Sequence, residues 1–141
     1  MTIIFNKVSI IVLGLICTSI LHAIKVKEDQ KVLTFAYDIN HEHRSIFSEM
    51  KIATYVCDDI KETVQEADLI ILAIPVGSMK SVANLIAPHL KPEALVTDTG
   101  STKLSVIKDV MSFIQTNNYF IPSHPFEGTE YSGPRSGFSA L

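Results

Sequence analysis

Tryptophan is missing from this chain, and cysteine is scarce: Cys17 and Cys57 stand alone, with no CxxC pair. A small disulfide-stapled domain or a zinc ribbon needs more cysteine than that, at closer spacing. Two free thiols in a reducing compartment are the expected state, which points to the cytoplasm. Strong charge is also missing. The net charge is -3 over 141 residues, and no Lys/Arg cluster stands out, which excludes a general nucleic-acid surface. "HEH" at residues 41–43 is too short and too poor in neighbouring ligands to hold a metal, so none is expected. No run reaches the roughly 20 apolar residues of a spanning helix. The nearest approach, "VSIIVLGLICTSIL", is broken by Ser9, Gly14, Thr18 and Ser19. It does match a signal h-region in length, and Lys7 precedes it, so export or membrane anchoring is one reading of it.

What is present is a core. Apolar residues make up 47% of the chain and charged ones 19%, a balance that folds rather than stays disordered. The length suits one domain. Short β-branched runs alternate with helical stretches throughout. "VLTFAYD", "IATYV", "DLIILAIPV", "ALVTDTG" and "YFIP" read as strands. "NHEHRSIFSEM", with Asn40 as its cap, reads as a helix, as do "CDDIKETVQEA" and "STKLSVIKDVMSFIQTN". So does "GSMKSVANLIAPHL", with Met79, Val82, Leu85 and Ile86 on one side. The tail from Ser123 is rich in Gly, Pro and Ser and reads as loop. Strands alternating with helices predict an α/β, Rossmann-type doubly wound parallel sheet, with residues 1–141 forming a dinucleotide-binding domain.

The opening run fits that frame as strand "VSIIVL" and helix "GLICTSILHAIK". The second strand then ends in Asp38, 24 residues after Gly14. Strand, glycine turn, helix, strand and acid is the order of a dinucleotide-binding unit. Backbone N–H groups around Gly14, Leu15 and Ile16 would take the pyrophosphate, and the Asp38 carboxylate would accept the ribose hydroxyls. Asp38 favours NAD over NADP, because a carboxylate repels a 2′-phosphate. His41, His43 and Arg44 follow closely and soften that preference, so NADP stays open. The glycine pattern itself is damaged. Of G-x-G-x-x-G only Gly14 survives, with Val12 at the turn glycine and Cys17 at the packing glycine. A β-branched residue at a turn needing unusual φ costs on the order of 1–3 kcal/mol.

The second half is more specific. "ADLIILAIPVGSMKSVANLIAPHLKPEALVTDTGSTK" followed by "SHPFEGTEYSGPRSGF" resembles the prephenate/arogenate dehydrogenase family of tyrosine biosynthesis. Four family blocks occur in order: the first turn, A-x-P-V, D-x-G-S-x-K and H-P-x-x-G-x-E-x-S-G. The resemblance implies NAD(P)-dependent oxidative decarboxylation of prephenate or arogenate. It implies that His124 accepts the proton of the ring hydroxyl as hydride leaves, and that Ser101 sits near the nicotinamide and that hydroxyl. Glu130 would lie near the substrate pocket, and Pro75 beside the cofactor. Read without the family, Ser101 is an ordinary helix cap, His124 a loop residue before Pro125, and Glu130 a solvated acid. The family also carries a helical dimerisation domain with a substrate-binding arginine; the resemblance ends before it, so that domain is expected to be absent from this chain and the isolated chain is expected to have little or no dehydrogenase activity. Two further readings follow: a nucleotide-binding module without catalysis, and self-association through an apolar C-terminal edge. Neither a nucleic acid nor a membrane is an expected partner; a small-molecule substrate is.

Overall fold

The computed structural model describes residues 5–11, 14–26, 31–100, 103–114 and 117–123. Six parallel strands form one sheet: β1 (Lys7–Ile11), β2 (Leu33–Tyr37), β3 (Tyr55–Val56), β4 (Leu69–Leu72), β5 (Leu95–Asp98) and β6 (Tyr119–Ile121). Their order is β3-β2-β1-β4-β5-β6, so the chain winds outward from β1 in one direction and then in the other. That is the doubly wound order of a Rossmann sheet. The helices are α1 (Leu15–Val26), α2 (His41–Met50), α3 (Ile60–Val64), α4 (Met79–Ile86) and α5 (Lys103–Met111). The opening apolar run is therefore β1 and α1, with β1 in the middle of the sheet. Among the described residues, no helix is long and apolar enough to cross a membrane.

Alternation along β1 divides the core. Val8 and Ile10 join Cys17 and Leu21 of α1 and Phe47 of α2 on one face. Ile11 joins Val64 of α3, Met79, Ala83 and Ile86 of α4, and Val106 and Val110 of α5 on the other. Ser9 also points to that second face, where it is fully buried and its hydroxyl donates to the Thr63 carbonyl. Cys17 and Cys57 are free, as expected, and both are buried.

Three expectations need adjusting. The stretch "IATYV" gives only a two-residue strand. Thr34 and Thr54 exchange hydrogen bonds between backbone N–H and side-chain oxygen, at 3.0 and 2.9 Å, where ladder bonds would otherwise run. The run "DLIILAIPV" leaves strand geometry after Leu72. The Ile11 carbonyl, at the end of β1, accepts from Ala73, and Pro75 has no N–H to continue. On α4, Met79, Ala83 and Ile86 are buried, whereas Leu85 is 45% exposed and turned toward a cleft.

A carboxylate staples the opposite, N-terminal edge of the sheet. Asp68 precedes β4 and accepts from the N–H groups of Asn6 and Lys7 at 2.7 and 2.9 Å, and from the Lys91 ammonium. Burial opposes its ionisation most strongly, but the Lys91 hydrogen bond and the two N–H groups together hold its carboxyl below the usual range. The stabilisation is therefore complete above the unfolded carboxylate value of about 3.9 and is lost as pH falls through the lower folded value. Asp68→Asn should cost about 1–2 kcal/mol at neutral pH, allowing for solvent screening. It should also flatten the acid limb of stability. Urea unfolding at a series of pH values measures both. An unchanged acid limb in the variant would rule the staple out.

Candidate functional site: a dinucleotide cleft at the strand ends

The strand order reverses beside β1, and a cleft opens at the C-terminal ends of β1, β2 and β4. Its volume is about 470 Å³, within the range of small-molecule sites. Ile11, Ile74 and Pro75 form its floor side, and Val82 and Leu85 of α4 one wall. Ile39, 82% exposed, also lines it. The polar corner is Asp38 with Asn40 and His43. An apolar slot with one acidic corner suits a flat ring attached to a diol.

The local sequence builds that corner. β2 runs straight into Asp38, which is only 3% exposed. The Asn40 N–H donates to Asp38 Oδ1 at 2.8 Å, closing a tight turn. The Asn40 side chain then caps α2, accepting from the N–H groups of Glu42 and His43. That cap places His43 so that its Nδ1 lies 2.9 Å from Asp38 Oδ2. Arg44 contacts the backbone instead. Its Nη1 donates to the carbonyls of Asp38 at 2.7 Å and Ile39 at 3.3 Å. Its Nε donates to Asp58 Oδ1 at 3.2 Å, and the guanidinium lies 5.8 Å from the Tyr37 ring centre.

Gly14, Leu15 and Ile16 stand at the head of α1, outside the lining of this cleft. A Cβ built on Gly14 meets nothing within 4 Å, so the backbone there is open to a ligand's approach. The Gly14 carbonyl accepts from both the N–H and the hydroxyl of Thr18, which anchors the first turn. Cys17 is fully buried between α1 and the sheet, so a thiol fits where the family pattern has glycine. Burial pushes that thiol up, a backbone hydrogen bond from Gly14 opposes the rise, and the Asp38 charge adds to it. It stays protonated and inert.

A second corner forms where β5 and β6 end. Asp98 is fully buried. Its Oδ2 accepts from the Gly100 N–H at 2.8 Å, and its Oδ1 accepts from the Ser123 N–H at 3.2 Å. The Ser123 hydroxyl donates to the Asp98 carbonyl, and the Thr97 hydroxyl donates to the Ile121 carbonyl at 2.6 Å. One carboxylate thus ties the residue before Ser101 to the residue before His124. Nothing in the sequence reading gave Asp98 a role, although the acid of D-T-G-S was in view; a buried acid closing a β-branched strand was the available signal. Ser101, His124 and Glu130 themselves lie outside the described residues, as do Val12 and the tail aromatics Phe126, Tyr131 and Phe138. Among the described residues, no cluster of potential ligands could hold a metal.

A doubly wound sheet with an acid-cornered cleft at its switch point defines a Rossmann-type nucleotide-binding domain. The family model for the nucleotide-binding domain of prephenate dehydrogenase matches residues 22–141, and the chain belongs to that family. It is 39% identical over 138 residues to cyclohexadienyl dehydrogenase of Zymomonas mobilis, covering 98% of this chain and 46% of that protein. It is 30% identical over 122 residues to prephenate dehydrogenase of Bacillus subtilis, covering 86% and 33%. Among solved structures, prephenate dehydrogenase of A. aeolicus, in complex with hydroxyphenyl propionate and NAD+, shares the fold. Its TM-score is 0.86 at 24% identity, over 99% of this chain and 48% of that one. Synechocystis arogenate dehydrogenase gives 0.82 at 23%, over 93% and 45%. The chain thus spans about half the length of these relatives, or less.

The second corner is tight. A Cβ on Gly100 would meet Asp98 Oδ2 at 2.9 Å and Val106 Cγ2 at 3.0 Å. Neither atom can retreat cheaply, since the first belongs to a carboxylate held by an N–H group on each oxygen and the second is core. Gly100→Ala is expected to destabilise the domain by about 1–3 kcal/mol. Denaturant unfolding checks this, and a variant within experimental error of the parent would show that the corner yields.

Proposed function

We propose that this domain holds NAD for the oxidative decarboxylation of prephenate or arogenate. The observation that carries the proposal is Asp38: a buried carboxylate at the end of β2, facing an apolar cleft at the switch point. The Asp38 corner would hold the adenosine ribose, with Pro75, Val82 and Leu85 beside the adenine. The open backbone at Gly14, Leu15 and Ile16 would meet the pyrophosphate. When bound, the nicotinamide ring supplies the hydride acceptor. The chain's own residues do the rest. His124 takes the proton of the substrate hydroxyl, for which a neutral imidazole is suited near pH 7. Ser101 hydrogen-bonds at the same reacting carbon's oxygen, and Glu130 faces the substrate. The Asp98 tie supports this reading, because it fixes the chain on either side of the sheet ends from which Ser101 and His124 follow. The two buried free thiols support a cytoplasmic setting.

Calorimetric titration with NAD tests the cofactor assignment. Asp38→Ala should weaken binding by about 10- to 100-fold, the worth of hydrogen bonds to a charged group. Equal affinity in the variant would remove Asp38 from the site. The catalytic assignment is read from NADH formation in the protein that carries this domain. His124→Asn should lower turnover by roughly 10²- to 10⁴-fold while leaving NAD affinity unchanged. Undiminished turnover would end that assignment.

We also propose that the β6 edge makes contacts in the assembled protein. Tyr119 and Ile121 are 58% and 56% exposed on the outermost strand, and Leu104 of α5 is 87% exposed. Among the described residues no strand lies beyond β6, and exposed apolar surface on such a strand edge favours association. Light scattering over a concentration series should show mass above the monomer. Ile121→Ser should reduce that mass without changing NAD affinity; a constant monomer mass would refute the contact.

A further inference from the structure

The corner at the end of β2 pairs a carboxylate with an imidazole. A carboxylate only accepts hydrogen bonds, so the proton in the 2.9 Å contact between His43 and Asp38 sits on His43 Nδ1. The other ring nitrogen, Nε2, has no partner among the described residues. The ring lines the cleft and its side chain is 37% exposed, so Nε2 is the edge a ligand would meet. Its chemistry depends on charge. In the neutral ring Nε2 is an acceptor, matched to a ribose hydroxyl, which donates. In the imidazolium Nε2 is a donor, matched to phosphate oxygens, which accept. Protonation also takes the corner from one negative charge to none, removing the repulsion between Asp38 and a 2′-phosphate.

We propose that His43 sets which dinucleotide this cleft accepts. With His43 neutral the cleft takes the 2′-hydroxyl form, and with His43 protonated it takes the 2′-phosphate form as well. This rests on the reading that the cleft holds the adenosine end of the cofactor. The other charged groups nearby do not supply the same switch. Arg44 is engaged by two carbonyls and by Asp58. His41 and Glu42 lie on the same helix turn but outside the cleft lining. From β2, Tyr37 contributes a phenol and Asp38 is the partner itself. The α4 wall offers Ser78, Ser81, Val82 and Leu85, none of which titrates near neutrality.

Two fragments test the proposal without any turnover: ADP, and adenosine 2′,5′-bisphosphate. Each is titrated calorimetrically at about pH 6 and about pH 8.5, on either side of the range where histidine changes charge. The discrimination against the bisphosphate, relative to ADP, should relax by about tenfold at the lower pH, the size of one hydrogen bond gained to a charged group. The 2′-phosphate has its own ionisation near pH 6. His43→Gln shares that contribution, so the comparison between the two proteins cancels it. The variant should lose the relaxation, and His41→Gln should keep it. Equal pH dependence in the parent and His43→Gln, with ADP bound by both, overturns the role of His43 alone. Failure of the parent to bind ADP at either pH overturns the adenosine reading of the cleft, and the role of His43 with it.

Discussion

Everything in this domain depends on β1 being hydrogen-bonded on both sides. Helices cover both faces of the sheet, so water cannot reach the backbone groups of its central strand. Each of those groups must find a partner on a neighbouring strand. β2 supplies one set and β4 the other, in unbroken parallel register from Val8 to Ile11. A parallel neighbour requires a crossover helix, and crossovers are right-handed. Moving first to one side of β1 and then to the other therefore sends α1 and α2 to one face and the later helices to the second. The connection after β1 runs toward β2 and the connection after its neighbour β4 runs the other way, toward β5, and the gap between them is the cleft. The site follows from how a buried strand keeps its polar backbone satisfied.

Within that gap, the division of labour is electrostatic. The acid sits where β2 ends, and the Asn40 cap turns the chain so that the next helix starts beside it. A helix beginning there brings its first-turn side chains back over the strand end. Hence His43, on the first turn of α2, meets Asp38, and the next residue, Arg44, meets the carbonyls behind it. Neutralising Arg44 against Asp58 and the backbone leaves the carboxylate and the imidazole to define the polarity of the corner.

Much of the fold was legible because buried parallel strands are written as apolar runs, and "VSIIVL", "LIIL" and "ALVTD" are such runs. The cap at Asn40 and the acid at Asp38 were legible for the same reason: each is a side chain acting on its own local backbone. What was not legible depends on geometry between elements. Spacing alone could not say whether His43 or Arg44 faces Asp38, because that is decided by the angle at which α2 leaves the turn. Nor could the period of α4 show that Leu85 turns to the cleft instead of the core. The stripe of a helix that touches two surfaces is wider than the stripe it buries. Asp98 was hidden in a different way. An acid at the last position of a strand, just before a turn, reads as solvent-facing until β6 arrives, from far along the chain, to put Ser123 on its other oxygen.

The Asp98 tie also bears on how this sequence can change over time. One carboxylate holds N–H groups from two loops that are more than twenty residues apart in the chain. A replacement in either loop that shifts its backbone will be felt by the other through that shared side chain. A change that moves the backbone at Gly100 pulls on the same carboxylate that holds Ser123, so the two loops share one constraint.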